Sequence, residues 1–112
     1  MSIITETIYA GRNNTFSLQL VRAGEPINLL SITGYELVLP GETAAEDIVF
    51  KNLDLANDDK GYFVEKPDGI VEITIGDDLT VDQVGRYKAY LVTYDPVNPL
   101  GVRWPYFYLK VL

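Results

Sequence analysis

The 112-residue chain contains no histidine and no cysteine, and it carries a formal net charge of −7 with a pI of about 4.4. His and Cys provide the usual ligands of zinc, haem and iron–sulfur centres and the usual partners in Ser–His and Cys–His nucleophile pairs. Their absence therefore argues against metalloproteins and enzymes of those classes. The negative charge argues against nucleic acid or an anionic membrane as a partner, because both attract basic surfaces.

Residues 1–112 are predicted to form a single globular domain, since 47% of them are apolar and the length is close to the commonest domain size. Residues 1–9 include Glu6 and lack the basic segment and long apolar run of a secretory signal peptide. No stretch approaches the roughly 18 consecutive apolar residues of a membrane span. We therefore expect no cofactor, no membrane insertion and no secretory export.

The first half of the chain predicts short strands separated by turns. Residues 15–21 (TFSLQLV) alternate apolar and polar side chains with a period of two, which is typical of a half-buried strand. Turn residues at 22–26 end this strand, and a second alternating run occupies residues 35–39 before Pro40. Residues 48–50 indicate at most a short strand.

The second half contains the clearest predicted strands. Residues 70–75 (IVEITI) and 86–94 (RYKAYLVTY) are rich in β-branched and aromatic side chains, a loop with two prolines spans 95–101, and residues 103–112 (RWPYFYLKVL) form the last strand. Because no amphipathic helix separates these runs, they predict an all-β fold, an antiparallel β-sandwich of about seven or eight strands. The predicted core includes Phe16, Leu18, Leu20, Leu37, Val71, Ile73, Leu91, Phe107 and Leu109.

Acidic residues lie close together at two places. Asp77, Asp78 and Asp82 lie between two predicted strands, and neighbouring strand residues point to opposite faces, so a turn is favoured over acid–base catalysis. Residues 57–61 (NDDKG) resemble part of a calcium loop, but alternate positions before the glycine hold a lysine and an alanine where ligands are needed. No catalytic and no metal-binding residues are therefore predicted.

Aromatic side chains gather on one face of the last two predicted strands. Alternation places Tyr87, Ala89 and Leu91 on the core side, and the other tyrosines of these strands on the outer side. Two interpretations stay open: the rings brace the hairpin, or they form a docking face, since Tyr and Trp are enriched in protein interfaces. A sugar-binding platform would use the same rings. The predicted partner-binding residues are Tyr90, Val92, Tyr94, Trp104, Tyr106 and Tyr108.

The shape of this aromatic face depends on how the last two strands pair. A loop over residues 95–101 allows several registers. If the hairpin is centred near Pro99, the rings share one outward surface of the order of several hundred Å², which is larger than a soluble monomer usually leaves bare. The cross-strand pairs in that register are Tyr94 with Trp104, Val92 with Tyr106 and Tyr90 with Tyr108.

Several short motifs follow one another in a familiar order. In chain order they are Phe16-x-Leu18, Gly24-x-Pro26-Ile27-x-Leu29, Asp68-Gly69, the 70–75 strand, Leu79-Thr80, Val84-Gly85-x-Tyr87 and Phe107-Tyr108-Leu109-Lys110-Val111. They resemble the immunoglobulin-like (Ig-like) domains of tailed-phage virion proteins, notably the N-terminal domain of phage baseplate upper proteins. The resemblance covers most of the chain and implies an Ig-like β-sandwich. It also implies that Tyr87 is a strand-entry tyrosine, as in the tyrosine corner of Ig sandwiches, and that Gly85 permits a tight approach before it.

The resemblance implies a non-enzymatic structural or adaptor protein of a phage or prophage particle, in the tail, the baseplate or associated with the capsid. Such a protein is assembled in the host cytoplasm and contacts other virion proteins or further copies of itself. Baseplate upper proteins continue into receptor-binding or coiled-coil regions, whereas this chain ends at Leu112, so a free-standing version is expected. The alternative is a carbohydrate- or host-surface-binding β-sandwich module. A small glycosidase would need a catalytic carboxylate pair that the sequence does not indicate.

Overall fold

The computed structural model of the chain describes residues 5–41, 46–53 and 62–112. Strands make up 53% of these residues, and helical structure within them is confined to the 3₁₀ turns Leu29–Ser31 and Val81–Gln83. The predicted all-β character is therefore confirmed. A helix with the length and apolar composition of a membrane span is absent from these ranges.

The described residues form eleven strands, more than the seven or eight predicted, because three of the eleven are only two residues long. One short strand arises because the predicted 103–112 strand is interrupted before Phe107. In chain order the strands are β1 (Thr5–Ile8), β2 (Asn14–Gln19), β3 (Val21–Arg22), β4 (Glu25–Pro26), β5 (Gly34–Leu39), β6 (Ile48–Asn52), β7 (Phe63–Glu65), β8 (Ile70–Ile75), β9 (Gly85–Tyr94), β10 (Val102–Arg103) and β11 (Phe107–Val111).

The longer strands form two sheets. The larger sheet has the order β1-β11-β9-β5-β6, with β10 also paired to β9, and the smaller sheet has the order β2-β8-β7. All paired strands are antiparallel except β1 and β11, which run parallel from Thr5 opposite Tyr108 to Ile8 opposite Val111. The prediction of a purely antiparallel fold is therefore wrong at this edge, and the larger sheet is mixed.

The connection after β1 explains why a parallel pair is possible. The chain leaves β1 through residues 9–13 and enters β2 of the other sheet, so no hairpin fixes the direction of β1 relative to β11. Asn14 holds this connection, because its side chain accepts a hydrogen bond from the Tyr9 N–H (3.1 Å) and donates one to the Tyr9 carbonyl (2.9 Å). Hydrogen bonds from Ala10 N–H to the Leu112 carbonyl and from Leu112 N–H to the Ile8 carbonyl, both 2.9 Å, extend the parallel pairing.

The inner faces of the two sheets share one core. Phe16 of β2 lies against Phe107 of β11 with ring centroids 6.0 Å apart, and Tyr35 of β5 stacks on Phe63 of β7 at 5.3 Å. The packing of the two sheets is therefore sandwich-like. The nine core residues predicted from alternation are all buried, which confirms that part of the prediction: Phe16, Leu18, Leu20, Leu37, Val71, Ile73, Leu91, Phe107 and Leu109.

One polar contact also joins the two sheets. Tyr35 is fully buried, and its hydroxyl donates a hydrogen bond of 2.7 Å to a carboxylate oxygen of Glu65 on β7. Burial, and secondarily the adjacent carboxylate, raise the pKa of Tyr35 well above its usual value. The hydroxyl therefore stays protonated and keeps its acceptor, which a buried polar group requires.

The sequence resemblance gives two expectations for the start of β9, one for Tyr87 and one for Gly85. The Tyr87 hydroxyl donates a hydrogen bond of 2.7 Å to the backbone carbonyl of Gln83 in the preceding 3₁₀ turn. A Cβ at Gly85 would have no atom within 4 Å, so the expected tight approach at this glycine is wrong. Its φ of +156° indicates instead that backbone conformation favours glycine there.

Candidate docking face

The outward face of the larger sheet carries the tyrosines that were predicted to bind a partner. Tyr90 and Val92 of β9 point outward because the alternate residues Ala89 and Leu91 are buried in the core. Residues paired across neighbouring strands share a side of the sheet, which extends the face over β5, β6, β10 and β11. We call this surface the cation–tyrosine face, and it consists of Glu36, Val38, Val49, Lys51, Arg86, Lys88, Tyr90, Val92, Tyr94, Arg103, Tyr106, Tyr108 and Lys110.

Three tyrosine rings of the cation–tyrosine face each have a positively charged side chain above them. The contacts are Arg86 over Tyr108 and Arg103 over Tyr90, each with the guanidinium carbon 3.9 Å from the ring centroid, and Lys88 over Tyr106 with Nζ at 5.2 Å. Each attraction of this kind is worth about 0.5–1 kcal/mol at an exposed site. The rings and the cations therefore hold one another in place.

These contacts leave the rings only partly bare. Tyr106 and Tyr108 meet edge to face with centroids 5.6 Å apart. Tyr106 keeps 41% of its surface exposed, whereas Tyr90 and Tyr108 are half-buried. The surface therefore presents charged N–H donors together with ring edges, and not the open aromatic patch that the sequence suggested.

Val92 and Tyr94 lie at the end of the face next to the 95–101 loop. Gly101 in this loop has a φ of +96°, and a Cβ added there would come within 2.7 Å of Val92 and 2.9 Å of Tyr94. The loop therefore lies against both side chains and requires glycine at this position. Partial burial, and secondarily the neighbouring Glu36 carboxylate and Tyr90, raise the pKa of Tyr94.

The register of the last hairpin differs from the one considered from the sequence. The observed pairs are Val102 with Thr93, Arg103 with Val92, Phe107 with Ala89 and Tyr108 with Lys88. The predicted pairs of Tyr94 with Trp104, Val92 with Tyr106 and Tyr90 with Tyr108 are therefore wrong. Between β10 and β11 the returning chain has one residue more than the facing part of β9, which makes a β-bulge. Pro105 lies in this bulge and has no N–H with which to continue the ladder.

The turn before β10 fixes the other end of the register. The Asp95 carboxylate accepts hydrogen bonds from the N–H groups of Val97 and Asn98, both at 2.9 Å. Its hydrogen bonds, first of all that from the Asn98 side chain, lower the pKa of Asp95. Aspartate followed by proline is a recognisable start of a β-turn, and this signal centres the hairpin near Val97 and Asn98 instead of Pro99.

Trp104 lies on the core side of the sheet, away from the tyrosines. Its backbone N–H donates to the Leu91 carbonyl at 2.9 Å, and its indole Nε1–H donates to the hydroxyl oxygen of buried Thr93 at 3.0 Å. The indole packs against the core, with the Arg22 guanidinium 5.7 Å from the ring centroid. The predicted place of Trp104 beside the tyrosines is wrong, because a shift of one residue moves a strand side chain to the other face.

The cation–tyrosine face is positively charged. The sequence analysis assigned no role to this charge. Among the described residues, five of the eight Lys and Arg side chains lie on the face, but of the twelve acidic side chains only Glu36 does, opposite Lys51 in the β5–β6 register. The sequence contains the signal, since cations and tyrosines occupy alternate positions in residues 86–90 and 106–110. The face is therefore positive in a chain whose net charge is −7.

The carboxylates examined in the sequence lie elsewhere. Asp77, Asp78 and Asp82 are exposed in the turn between β8 and β9, where Asp78 accepts a 2.6 Å hydrogen bond from the Tyr62 hydroxyl. Within the three described ranges, no three His, Cys, Asp or Glu side chains are grouped so that they could hold a metal ion. The residues considered as a calcium loop, 57–61, lie outside those ranges. The cation–tyrosine face is thus the strongest candidate site on the described surface.

Comparison of the sequence with models of known protein families gives no match, and no curated protein sequence matches it. The geometry of the cation–tyrosine face and the resemblance carried by the short motifs are therefore the two observations that bear on function.

Proposed function

We propose that this chain is an Ig-like β-sandwich domain that acts as a non-enzymatic structural adaptor of a phage or prophage particle. The strand order supports the fold. In Ig domains, strands G, F and C lie side by side in one sheet and strands B, E and D in the other. The runs β11-β9-β5 and β2-β8-β7 have the same order, and β6 matches the additional C′ strand of variable-type domains.

Tyr87 provides a second argument for the Ig-like fold. Ig sandwiches have a tyrosine near the start of strand F whose hydroxyl donates to the backbone a few residues upstream, two residues before a core cysteine. Tyr87 lies near the start of β9, donates to the Gln83 carbonyl and precedes the fully buried Ala89 by two residues. A small apolar side chain thus occupies the position that antibody domains use for their disulfide.

The functional proposal depends on one observation, the cation–tyrosine face. Tyrosine and arginine are enriched in protein interfaces and among the residues that contribute most to binding. Because Arg86 and Arg103 lie 3.9 Å from the rings that they cover, these side chains lose little further freedom when a partner docks. The proposal that the chain belongs to a phage or prophage particle comes from the sequence resemblance.

The same contacts favour a protein partner over a glycan. Sugar rings stack on open aromatic faces, and a guanidinium group already covers one face of Tyr90 and of Tyr108. The cations keep N–H donors that suit the carboxylates of a protein surface. Carbohydrate binding is therefore the less favoured function, and a glycan array distinguishes it from protein binding.

A pair of matched variants tests the proposal. Tyr106→Ser with Tyr108→Ser removes two rings from the cation–tyrosine face, and the control, Ser17→Ala with Val64→Ala, changes two outward residues of the smaller sheet. Each variant is expressed during particle production, and particles purified on a density gradient are analysed by quantitative mass spectrometry. Circular dichroism establishes that both variants are folded.

We expect incorporation of the face variant to fall at least about tenfold below that of the control, because loss of central interface residues costs upwards of about 1–2 kcal/mol. Normal incorporation of the folded face variant, or absence of the wild-type chain from purified particles, overturns the proposal. Glycan-array binding by the wild type that is lost in the face variant would replace it with the carbohydrate-binding function.

A further inference from the structure

Charge is distributed unevenly over the described part of the chain. Among the described residues, the cation–tyrosine face holds five cations and one carboxylate, whereas the rest carry three cations and eleven carboxylates. The turn between β8 and β9 exposes Asp77, Asp78 and Asp82 within six positions, and Asp82 lines one cavity together with Arg86 at the end of the face. We call these three residues the acidic corner. A positive face and an acidic corner on one chain are complementary surfaces for two copies.

The cations of the face are available for such a contact. Neither the Arg86 nor the Arg103 guanidinium donates a hydrogen bond to a carboxylate within the described residues. A guanidinium over a ring keeps its N–H groups for an acceptor beside the ring, and carboxylates are the acceptors that match its geometry. Lys88 and Lys110 add positive charge along the same strands.

From this complementarity we infer that the cation–tyrosine face docks the acidic corner of a second copy of this chain, in a head-to-tail contact. The inference rests on the proposed adaptor function and names its partner. A head-to-tail contact uses two different patches on each copy, so it leaves one patch free at each end and builds rings or filaments. Such an arrangement would let several copies assemble in a particle.

Single-stranded nucleic acid would also be attracted by a basic face with aromatic residues, but it fits less well. Proteins of that kind present open ring faces on which bases stack, whereas Tyr90 and Tyr108 each have one face covered by a guanidinium. The net charge of −7 also repels a polyanion that extends beyond the face.

Two charge-reversed variants test the contact. The face variant is Lys88→Glu with Arg103→Glu, and the corner variant is Asp77→Lys with Asp82→Lys; Asp78 stays intact because it holds Tyr62. Sedimentation velocity is measured at low ionic strength for the wild type, for each variant and for their equimolar mixture. If a reversal impairs folding, judged by circular dichroism, the neutral versions Lys88→Gln with Arg103→Gln and Asp77→Asn with Asp82→Asn are used instead.

We expect the wild type to form oligomers larger than a dimer as its concentration rises, and to dissociate when salt is added, because screening weakens exposed charge pairs. Each variant alone should associate at least about tenfold more weakly, because its double charge reversal turns two attractive contacts into repulsive ones. The mixture should recover the association that each variant lacks alone, because the intact corner of one variant meets the intact face of the other and the two reversed patches also attract each other.

A wild type that stays monomeric, an association that strengthens with salt, or a mixture that fails to recover association overturns the inference. If the wild type is monomeric but the Tyr106→Ser/Tyr108→Ser variant is still excluded from particles, the second-copy contact is wrong and the adaptor function stands. If that variant is incorporated normally, the adaptor function fails as well. If fluorescence anisotropy shows tight binding of a single-stranded oligonucleotide, and the Lys88→Glu/Arg103→Glu variant loses this binding, nucleic acid replaces the second copy as the partner.

Discussion

The outward faces of the two sheets differ in chemistry although their inner faces share one core. On the smaller sheet the outward positions of β2 and β8 carry hydroxyl and other polar side chains except at Ile70, and Thr15 and Thr74 exchange a hydrogen bond of 2.9 Å across the strands. On the larger sheet, tyrosine rings beneath cations occupy the equivalent positions, as in the contact of Arg86 with Tyr108.

This difference distinguishes the outward side chains that the fold requires from those that it does not require. A sheet with one buried face requires only a solvated outward face, and short polar side chains such as Ser17 provide it. Long cations and large aromatic rings lose more side-chain freedom when they are ordered, so the larger sheet bears an entropic cost that folding alone does not require. We therefore propose that the extra chemistry of the larger sheet serves binding.

The largest expected effect tests the shared core. Ile73 of β8 and Leu91 of β9 are both fully buried, one in each sheet. Ile73→Ala and Leu91→Ala should each lower the free energy of unfolding by about 2–5 kcal/mol, because each leaves a cavity that the neighbours fill only in part. Denaturant titration measures both values. A large loss for one variant and almost none for the other would contradict a core common to the two sheets.

The next effect sharpens the contrast between the outward faces. Tyr108→Ser removes the ring beneath Arg86 and the edge-to-face contact with Tyr106, so it should lower the free energy of unfolding by about 1–2 kcal/mol. Ser17→Ala, on the smaller sheet, should change it by less than about 0.5 kcal/mol. Thermal unfolding of the two variants checks this. A globally unfolded Tyr108→Ser chain would show that the face belongs to the core.

A smaller effect concerns the bond between the sheets and its pH dependence. Tyr35→Phe should lower the free energy of unfolding by about 1 kcal/mol, because Glu65 loses its donor. The pKa of Tyr35 is raised in the folded state above its ordinary value of 10.0, so its contribution is complete below pH 10. Above that pH the unfolded chain releases the proton and the folded chain keeps it, so stability falls.

The comparison of wild type and Tyr35→Phe between neutral and strongly alkaline pH measures this contribution. Wild-type stability should decline more steeply with pH than that of the variant. Parallel curves for the two proteins would mean that the hydroxyl is not buried as described.

The smallest effect concerns the turn that sets the register of the larger sheet. Hydrogen bonds, chiefly from Asn98, lower the pKa of Asp95 below its ordinary value of 3.8. The carboxylate therefore stabilises the fold above that pH, and the contribution disappears as pH falls through the lower folded-state pKa. Asp95→Ala should reduce the melting temperature slightly at neutral pH and by less in acid. An equal reduction at both pH values would show that the ionised carboxylate does not stabilise this turn.

The parts of the fold that depend on local alternation could be predicted from the sequence. A period of two assigns each side chain of a strand to one face, so the core positions of β2, β8 and β9 were predicted correctly. The same rule placed Tyr90 and Tyr108 on the outward side. It says nothing of long-range pairing, and so β1, whose four residues contain one apolar side chain, was not predicted beside β11.

The register of the last hairpin could not be obtained by counting along residues 103–112 as one strand. The bulge around Pro105 inserts one residue, which turned Trp104 toward Thr93 and the core. The cations were visible in the sequence, but their position above the rings follows from this register. A β-turn beginning at Asp95 and a proline inside a predicted strand were the two signals that pointed to it.

The central claim is that the cation–tyrosine face is the docking surface and that the outward face of the smaller sheet is not. Hydroxyl-radical footprinting of side chains, on the free chain and on the chain in purified particles, tests this most directly. The account predicts that Tyr106 and Tyr108 become protected in the particle while Val64, 43% exposed on the smaller sheet, keeps its reactivity. Protection of Val64 with unchanged tyrosines would contradict it.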